Sequence, residues 1–344
     1  MTIDKAGVMQ IVVTLAAIVL ILAGMQAAKA IVVPFLLSVF IAVISTTPMF
    51  WLQRRGLPVW LALLVVILVV ILVGFLLASM ILTSVRDLTG SLPVYEAKLR
   101  DLTVATVVWL QGLGIKASVP VLTEILDPGA LIKLVTTLLN ALGNLVANGF
   151  LVMMTVIFML LEAASFPAKI DAVLGGETAR FRLERFLENL KHYMLIKTLV
   201  SVATGVLVTV LVSILGVDLP LLWGFLAFAL NYVPNIGSII AGLPAVVLTL
   251  VQLGPLRAIM VAGGYLAINL VLGNFLEPRF LGRGLGLSTL VVFLSLLFWG
   301  WLLGPVGMLL SVPLTMTVKI ALDSREDTRW LSTLLGAEAP QKAD

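Results

Sequence analysis

Amides, hydroxyls and one carboxylate interrupt the apolar sequence in the last third of this chain, and these are the side chains that could do chemistry. The amide- and hydroxyl-bearing residues are Asn231, Tyr232, Asn235, Ser238, Asn269, Asn274 and Ser288. The carboxylate is Glu277, and it is followed by Pro278 and Arg279. Lipid offers no hydrogen-bond partner, so polar breaks of this kind survive only where protein or a water-filled cavity satisfies them. The pattern therefore indicates a transport pathway.

Ionisable side chains within or beside the apolar stretches are few, and such residues are functional candidates by default. For Glu277 two interpretations stay open: a local ion pair with Arg279 that closes a helix end, or a carboxylate that couples transport to a proton or cation. Lys197 is expected to extend to the cytoplasmic membrane surface. Ser201 is expected to belong to a helix-packing surface. With His192 as the only histidine and no cysteine in the chain, we expect no metal site and no cofactor.

The composition defines the class of protein. Hydrophobic residues make up 61% of the 344 residues and charged residues only 12%, far from the balance of a soluble domain. An all-α, polytopic integral membrane protein is predicted, with room for about eight spanning segments of roughly 20 residues each. The net charge of +4 fits basic cytoplasmic loops and does not indicate a nucleic-acid surface. The sequence has no paired-histidine zinc motif, no nucleophile elbow and no phosphate-binding loop, so an enzyme is not expected.

Five apolar segments of nearly spanning length precede the interrupted region. They lie near residues 7–28, 30–51, 59–83, 145–161 and 193–216. Only Lys29 and its neighbours separate the first two segments, which predicts a tight hairpin. Residues 84–144 mix leucines with balanced charges and predict amphipathic helices at the membrane interface, with one helix starting at Asp127-Pro128. Residues 166–192 predict a further amphipathic linker helix.

The interrupted region predicts two broken helices. Residues 219–232 would form a helix of about 21 Å, too short to cross a membrane core of about 30 Å. Pro234 removes an amide donor and Gly237 permits a sharp change of direction, so a re-entrant or broken element is expected there. Gly304-Pro305 divides a second long run, residues 285–322. Whether the two runs cross the membrane or return as hairpins stays open at this point, and the basic residues Arg279 and Arg283 favour hairpins. Half-helix ends that meet near the membrane midplane form substrate sites in secondary transporters.

Basic clusters predict the orientation and, with it, the organisation of the chain. The clusters are Arg54 and Arg55 after the second segment, and Arg180, Arg182, Arg185 and Lys191 after the fourth. The positive-inside rule puts both clusters, and both termini, in the cytoplasm. The predicted regions are N-terminal transmembrane helices (1–83), extracytoplasmic amphipathic helices (84–144), transmembrane helices with a cytoplasmic linker (145–216), a broken-helix transport region (217–322) and a cytoplasmic tail (323–344).

Several of these stretches also resemble a known family. They are Asn231 to Gly237, residues 269–313 with Leu287-Ser288-Thr289 and Phe298-Trp299-Gly300-Trp301, Val32-Val33-Pro34-Phe35, and Asp127-Pro128. With them, the chain resembles the autoinducer-2 exporter family over nearly its full length. The resemblance implies a small-molecule exporter of the bacterial inner membrane that assembles as a homo-oligomer, with a pentamer as the expected form.

The resemblance also implies a substrate, and the polar residues suit it. Autoinducer-2 is a small furanosyl polyol, so its recognition should use amide and hydroxyl groups and aromatic walls, not paired charges. The amides and hydroxyls named first supply the former, and the walls could come from Phe228, Tyr232, Tyr265 and Trp299. The family includes members proposed to be cation/proton antiporters, so antiport remains an alternative, and a channel a further one.

Overall fold

The computed structural model describes residues 5–112, 137, 140, 143–144, 146–163, 177–234, 236–281, 287–323 and 326–336. Regular elements in these ranges are helical and none is a strand, which confirms the all-α prediction. In chain order they are α1 (Lys5–Ala27), α2 (Lys29–Arg54), α3 (Val59–Gly112), α4 (Gly149–Ala163), α5 (Glu177–Ile214), α6 (Pro220–Leu230), α7 (Gly237–Leu253), α8 (Pro255–Asn269), a π-helical segment (Leu270–Leu276), α9 (Glu277–Leu281), α10 (Thr289–Leu303), α11 (Pro305–Leu309), α12 (Ser311–Asp323), a 3-10 turn (Glu326–Thr328) and α13 (Arg329–Leu334).

Within the part of the chain that the structure describes, four helical stretches are long and apolar enough to cross a membrane. They are Lys29–Arg54, Val59–Ser91, Leu187–Ile214 and Pro255–Phe280. Shorter apolar helices, among them α4, α6, α7 and α10, accompany them. Large hydrophobic side chains such as Phe75 and Phe150 are exposed on these helices, as expected of a surface in contact with lipid. The chain is therefore a polytopic membrane protein.

The predicted tight hairpin between the first two segments is wrong. Ala28 separates α1 from α2 with backbone angles of φ −84° and ψ 7°. Helical hydrogen bonds continue on both sides of it, from the Ala28 N–H to the Gly24 carbonyl at 2.9 Å and from the Val32 N–H to the Ala28 carbonyl at 3.0 Å. No glycine or proline lies between Gly24 and Pro34 to provide the geometry of a reverse turn. For this reason α2 continues α1 after a bend.

Helix α3 is much longer than the predicted third span. It runs for 54 residues, so residues 84–112 continue the same helix beyond the predicted span and do not form separate helices. Ile81, Leu88 and Tyr95 are buried at seven-residue spacing and therefore lie on one face of α3. That face packs against α6 and α7 in a large buried cluster. The predicted helix start at Asp127-Pro128 lies outside the described residues.

Helices α2, α3 and α4 pack together around a second apolar cluster. Its fully buried members are Met49, Ala62, Val156 and Leu160. The Ser38 hydroxyl of α2 lies 3.2 Å from the Val152 carbonyl of α4 and is also fully buried. This packing fixes the position of α2, which carries an aromatic ring of the site described below.

Helix α5 unites residues 177–192 of the predicted linker with the fifth span in one helix of 38 residues, and the first part of the linker lies outside the described residues. Along its N-terminal half, the Lys191 ammonium lies 5.3 Å from the centre of the Phe50 ring on α2. The contact brings Lys191 to the end of the molecule where α2 terminates at Arg54 and Arg55. The basic residues at this end are thus grouped as the positive-inside pattern requires.

Helices α6 and α7 form a hairpin. The backbone N–H of Asp218, just before α6, donates to Gln252 Oε1 near the end of α7 at 3.1 Å, so the two ends of the hairpin lie together. The described residues at its tip are 231–234 and 236. Two glycines let α6 approach α5 closely, because a Cβ on Gly205 would lie only 2.8 Å from the Gly224 carbonyl oxygen. The run that is too short to cross a membrane therefore turns back on itself.

Helices α10 to α12 form a second hairpin, as the sequence predicts. Trp299 Nε1 on α10 donates to Thr315 Oγ1 on α12 at 2.9 Å. The chain reverses after Gly304, whose φ of 74° favours glycine. At the open end, the Ser288 N–H donates to the Leu335 carbonyl at 3.1 Å and so connects the hairpin to the residues after α13.

The two hairpins begin at different levels along α5. At the base of the first, Arg257 Nη1 donates to the Leu215 carbonyl at 3.2 Å, immediately after the C-terminal end of α5. At the base of the second, Leu287 shares a buried cluster with Leu190 and Tyr193, in the N-terminal half of the described α5 side chains. The tip of the first hairpin therefore lies against the middle of α5, whereas the tip of the second packs against α1 and α2, where Leu303 shares a cluster with Leu22 and Val32.

Candidate substrate and coupling site

The tip of the first hairpin lies against one turn of α5, formed by residues 197–201. Ser201 is about 20 Å from the end of α5 at Ile214, at a rise of 1.5 Å per residue. Because a membrane core is about 30 Å thick, this turn lies well inside an apolar layer that begins at Ile214. Polar groups at such a depth need partners, and the following contacts provide them.

Asn231 ends α6, and its amide is satisfied inside the protein. Its backbone N–H donates to the Ala227 carbonyl at 3.0 Å and completes the helix end. Its side-chain Nδ2 donates to Ser201 Oγ at 3.0 Å. Asn231 is 7% exposed and Ser201 has no exposed surface. Ser201 is thus more than the packing residue that the sequence predicts, because its hydroxyl is the partner of a predicted binding amide.

Tyr232 extends the contact by one residue. Its hydroxyl donates to Thr198 Oγ1 at 2.8 Å, while the Thr198 hydroxyl donates to the Met194 carbonyl at 2.6 Å. The Tyr232 ring meets Phe40 and Phe228 edge-on, with ring centres 5.3 and 5.7 Å away. Such aromatic surfaces are suited to the apolar side of a small polar ligand.

Lys197 and Glu277 form a buried ion pair between α5 and α9. Lys197 Nζ lies 2.6 Å from Glu277 Oε1, and the two side chains are 6% and 14% exposed. Two predictions are therefore wrong, because Lys197 does not extend to the membrane surface and Glu277 does not pair with the exposed Arg279. The partners are 80 residues apart, so no local spacing could reveal the pair.

A π-helical segment positions Glu277. The N–H of Glu277 donates to the Leu272 carbonyl, five residues earlier. In an α-helix it would donate to the carbonyl four residues earlier. Pro278 has no N–H to donate, and its ring would press on the preceding turn of a regular α-helix. The wider π turn accommodates this proline. Single π segments inside α-helices are frequent at functional sites.

The other predicted binding residues lie in several places. Ser238 is half-buried in the first turn of α7, next to the hairpin tip. Asn269 is half-buried at the end of α8, and Asn274 is exposed in the π segment. Ser288 caps α10, where its hydroxyl accepts a hydrogen bond from a backbone N–H of that helix at 3.3 Å. Asn235 lies outside the described residues.

A separate set of contacts closes the base of the hairpin. The Tyr95 hydroxyl of α3 donates to Asp218 Oδ2 at 2.8 Å, and Trp223 Nε1 donates to the Asp218 carbonyl at 2.9 Å. Leu219 follows in a left-handed conformation with φ 59°, which is strained for a residue other than glycine. Burial, together with the hydrogen bond to Asp218, raises the pKa of Tyr95 to about 12. The hydroxyl therefore remains protonated and able to donate at physiological pH.

Replacing Tyr95 with phenylalanine should lower the melting temperature of the solubilised protein. Removing the hydroxyl leaves Asp218 without this partner, at a cost of about 0.5–1.5 kcal/mol. Because the raised pKa favours the protonated phenol in the folded state, this stabilisation is present below pH 10 and is lost as the pH rises toward about 12. Tyr265→Phe is the matched control, since the buried Tyr265 hydroxyl has no hydrogen-bond partner among the described residues. Equal melting shifts in the two variants would contradict a role for the Tyr95–Asp218 bond.

One turn of α5 therefore presents three kinds of polar contact. The amide–hydroxyl and phenol–hydroxyl pairs could exchange their internal bonds for bonds to the hydroxyl groups of a neutral solute, and the ion pair could exchange a proton. Among the residues that the structure describes, no group of three or more His, Cys, Asp or Glu side chains could hold a metal ion. Sequence reasoning did not identify Thr198 at all, and it named Lys197 and Ser201 without their partners.

Known transport proteins resemble this chain along nearly its whole length. The AI-2E family transporter domain matches residues 15–326. The chain is 43% identical over 328 residues to AI-2 transport protein TqsA of Escherichia coli (strain K12), with 95% of each chain covered. It is 43% identical over 329 residues to a putative transport protein of Haemophilus influenzae, with 94% of each covered. It is 38% identical over 339 residues to putative transport protein YhhT of Escherichia coli, covering 98% of this chain and 97% of that protein.

Proposed function

Because this chain belongs to the AI-2E transporter family, we propose that it exports autoinducer-2, or a related small polar molecule, across the bacterial inner membrane by alternating access. The observation that carries the proposal is a pair of hydrogen bonds at the tip of a half-length hairpin, a buried one from Asn231 to Ser201 and a partly buried one from Tyr232 to Thr198. Discontinuous helices that expose polar ends inside the membrane are typical of substrate sites in secondary transporters.

Substrate binding is assigned to the amides and hydroxyls near the two hairpins. The proposed binding residues are Asn231, Tyr232, Asn235, Ser238, Asn269, Asn274 and Ser288. A polyol that enters between the hairpin tip and α5 would replace the internal hydrogen bonds of Asn231 and Tyr232 with bonds to its own hydroxyls. The edges of Phe40 and Phe228 would contact its carbon face. Because Gly205 and Gly224 hold α5 and α6 in close contact, these two helices would move as one body during the cycle.

A homo-oligomer is part of the proposal, with a pentamer as the expected number of subunits. The family resemblance supports it, and the exposed apolar side chains of α1 offer a surface that lipid or a neighbouring subunit could cover. Among them, Val19 is 63%, Leu20 72% and Ile21 62% exposed. The mass of the complex in detergent, measured by light scattering, tests the number. A monomeric mass would remove the oligomer from the proposal.

The second candidate function is cation/proton antiport, which the Lys197–Glu277 ion pair favours. A buried carboxylate in a membrane helix is typical of proton and ion pathways. Glu277 is the proposed coupling residue, with the neighbouring Arg279 as a second candidate. Under this alternative, the amides near the hairpin tip would hold helices together and would not bind an organic solute.

Flux measurements on the purified protein in liposomes separate these functions. A carrier for autoinducer-2 should give saturable, substrate-selective flux, whereas a channel should give ohmic flux. An antiporter should exchange protons for sodium or potassium with no effect of autoinducer-2. Saturable export of autoinducer-2 is the expected result, and flux of cations alone would favour the second candidate.

The proposed topology has the C-terminus in the cytoplasm and residue 89 outside. The cytoplasmic N-terminus that the sequence predicts depends on a hairpin between α1 and α2, so it is not part of the proposal. Single cysteines introduced at Thr89 and Thr333 should label oppositely with an impermeant thiol reagent added to intact cells, because the chain has no cysteine of its own. Both threonines are exposed. The neighbouring Ser332 is a poorer choice, since it is only 4% exposed. Labelling of both cysteines to the same extent would refute the orientation.

A further inference from the structure

The Lys197–Glu277 ion pair is an unusual way to hold two membrane helices together. The two side chains are 6% and 14% exposed, and their charged atoms are 2.6 Å apart. Buried ion pairs are weak contributors to stability, because the cost of removing two charges from water offsets most of their attraction. Apolar residues of similar size would connect α5 to α9 at least as well. Helix packing alone therefore does not explain the pair, and a role that depends on its charges is indicated.

Protonation of the carboxylate would change the energetics of this contact sharply. A neutral Glu277 no longer compensates the ammonium of Lys197, which is only 5% exposed. An uncompensated charge in an apolar interior is strongly unfavourable, and water access to Lys197 is the simplest relief. Gaining that access requires α9 and α5 to separate. Proton uptake would thereby be converted into movement.

The neighbourhood of the pair favours a proton over a metal cation. Hard metal cations require several oxygen ligands at once. From the described elements packed around the pair, namely α2, α6, α8, α9 and the π segment, the titratable groups that face it are phenols: Tyr193 of α5, which interacts electrostatically with Glu277, and Tyr232 beyond it. Arg279 is exposed. A single carboxylate already bonded to an ammonium can accept a proton without further ligands.

The ion pair also shares its turn of α5 with the hairpin contacts. Lys197 directly precedes Thr198, the acceptor of the Tyr232 bond, and it lies one helical turn from Ser201, the acceptor of the Asn231 bond. Side chains four residues apart lie on the same face of a helix. A displacement of α9 from this turn would therefore also disturb the hydrogen bonds that hold the hairpin tip.

We infer that the Lys197–Glu277 pair is a proton-operated latch, in which a proton taken up by Glu277 releases Lys197 and frees α5 and the hairpin tip from α9. The step converts a carboxylate into a carboxylic acid, breaks one ammonium–carboxylate contact and changes the charge of the pair from zero to plus one. The inference rests on the proposed function. It specifies the proton as the coupling ion and Glu277 as the residue that binds it. Lys197 is the positioning residue of this latch.

The test uses the full-length protein in liposomes that contain a pH-sensitive dye, with autoinducer-2 as the probe. The decisive variant combines Lys197→Met with Glu277→Gln, which removes both charges and preserves side-chain size. It should fold, move autoinducer-2 down its gradient and carry protons no faster than protein-free liposomes. Wild type should move protons in the opposite direction to autoinducer-2. Glu188→Gln, an exposed carboxylate-to-amide change on α5, is the control and should retain proton flux.

A second measurement guards against simple misfolding. Glu277→Gln alone leaves Lys197 unpaired, so it should melt at a lower temperature than the double variant, whose melting should approach that of wild type. Autoinducer-2 flux without proton movement in wild type would overturn the latch and leave the proposed function intact. So would coupling to sodium, proton coupling that persists in the double variant, or loss of both fluxes in a double variant that melts normally. Absence of any autoinducer-2 flux in wild type would overturn the proposed function and the latch with it.

Discussion

Replacing Gly237 with alanine should disrupt the tip of the first hairpin and abolish export. A Cβ at this position would lie 1.8 Å from the carbonyl oxygen and 2.8 Å from the carbonyl carbon of Leu230. Both are backbone atoms, so no rotamer change can relieve the overlap, and the end of α6 must move away from the start of α7. Overpacking of this kind costs about 1–3 kcal/mol or more. The displaced backbone would carry Asn231 away from its partner on α5.

Thermal melting in detergent and uptake of autoinducer-2 into inside-out vesicles measure the two effects. Gly263→Ala is the matched control, because no atom lies within 4 Å of a Cβ built on that glycine. Alanine there should be neutral or slightly stabilising, since alanine is a better helix former than glycine. A Gly237→Ala protein with wild-type melting and wild-type uptake would show that the hairpin tip tolerates the shift and is not the site of transport.

The second large effect is expected from Asn231→Ala, which should reduce export while the oligomer stays intact, with only the modest fall in melting temperature that losing the bond to Ser201 implies. Losing a buried hydrogen bond to the solute should cost about 1–3 kcal/mol, equivalent to about 5- to 150-fold in transport. Ser201→Ala leaves the Asn231 amide without its acceptor, so a measurable loss of export is expected there too. The double variant should lose less than the sum of the two single losses, because the residues share one hydrogen bond.

The outcomes distinguish binding from packing. If the Asn231 variant falls apart as an oligomer, the amide holds helices together and does not bind the solute. If it remains intact and transports normally, the solute site lies elsewhere, and Asn269, Asn274 and Glu277 become the residues to test. Strict additivity of the Asn231 and Ser201 losses would contradict their coupling in transport.

The broken hairpin could be predicted from sequence because its causes are local. Pro234 cannot donate a backbone hydrogen bond, Gly237 allows a close approach that other residues forbid, and the preceding apolar run is too short to span. The N-terminal hairpin was mispredicted for a related reason: the single charge of Lys29 suggested a turn, but no glycine or proline lies between Gly24 and Pro34 to form one. A change of hydropathy marks a loop only where the backbone is also free to turn.

The chemistry of the site could be predicted only in part. Asn231 and Glu277 were identified because polar residues stand out in an apolar sequence. Their partners on α5 were not, because Ser201 and Thr198 are common in membrane helices and Lys197 lies beside an interfacial segment. Pairing over 80 residues depends on how α5 and α9 are brought together by the intervening hairpin, and no periodicity within either helix contains that information.

The π-helical segment before Glu277 has a mechanical consequence. If the seven residues Leu270–Leu276 returned to α-helical bonding, the Glu277 N–H would pass from the Leu272 carbonyl to the Gly273 carbonyl, at the cost of pressing the Pro278 ring against the preceding turn. That exchange advances the chain by one residue, which turns everything beyond it by about 100° around the helix axis. The Glu277 carboxylate would then face a different neighbour while α8 stayed in place. A rearrangement of backbone hydrogen bonds within this one segment could thus separate α9 from α5 without a rigid-body movement of a domain.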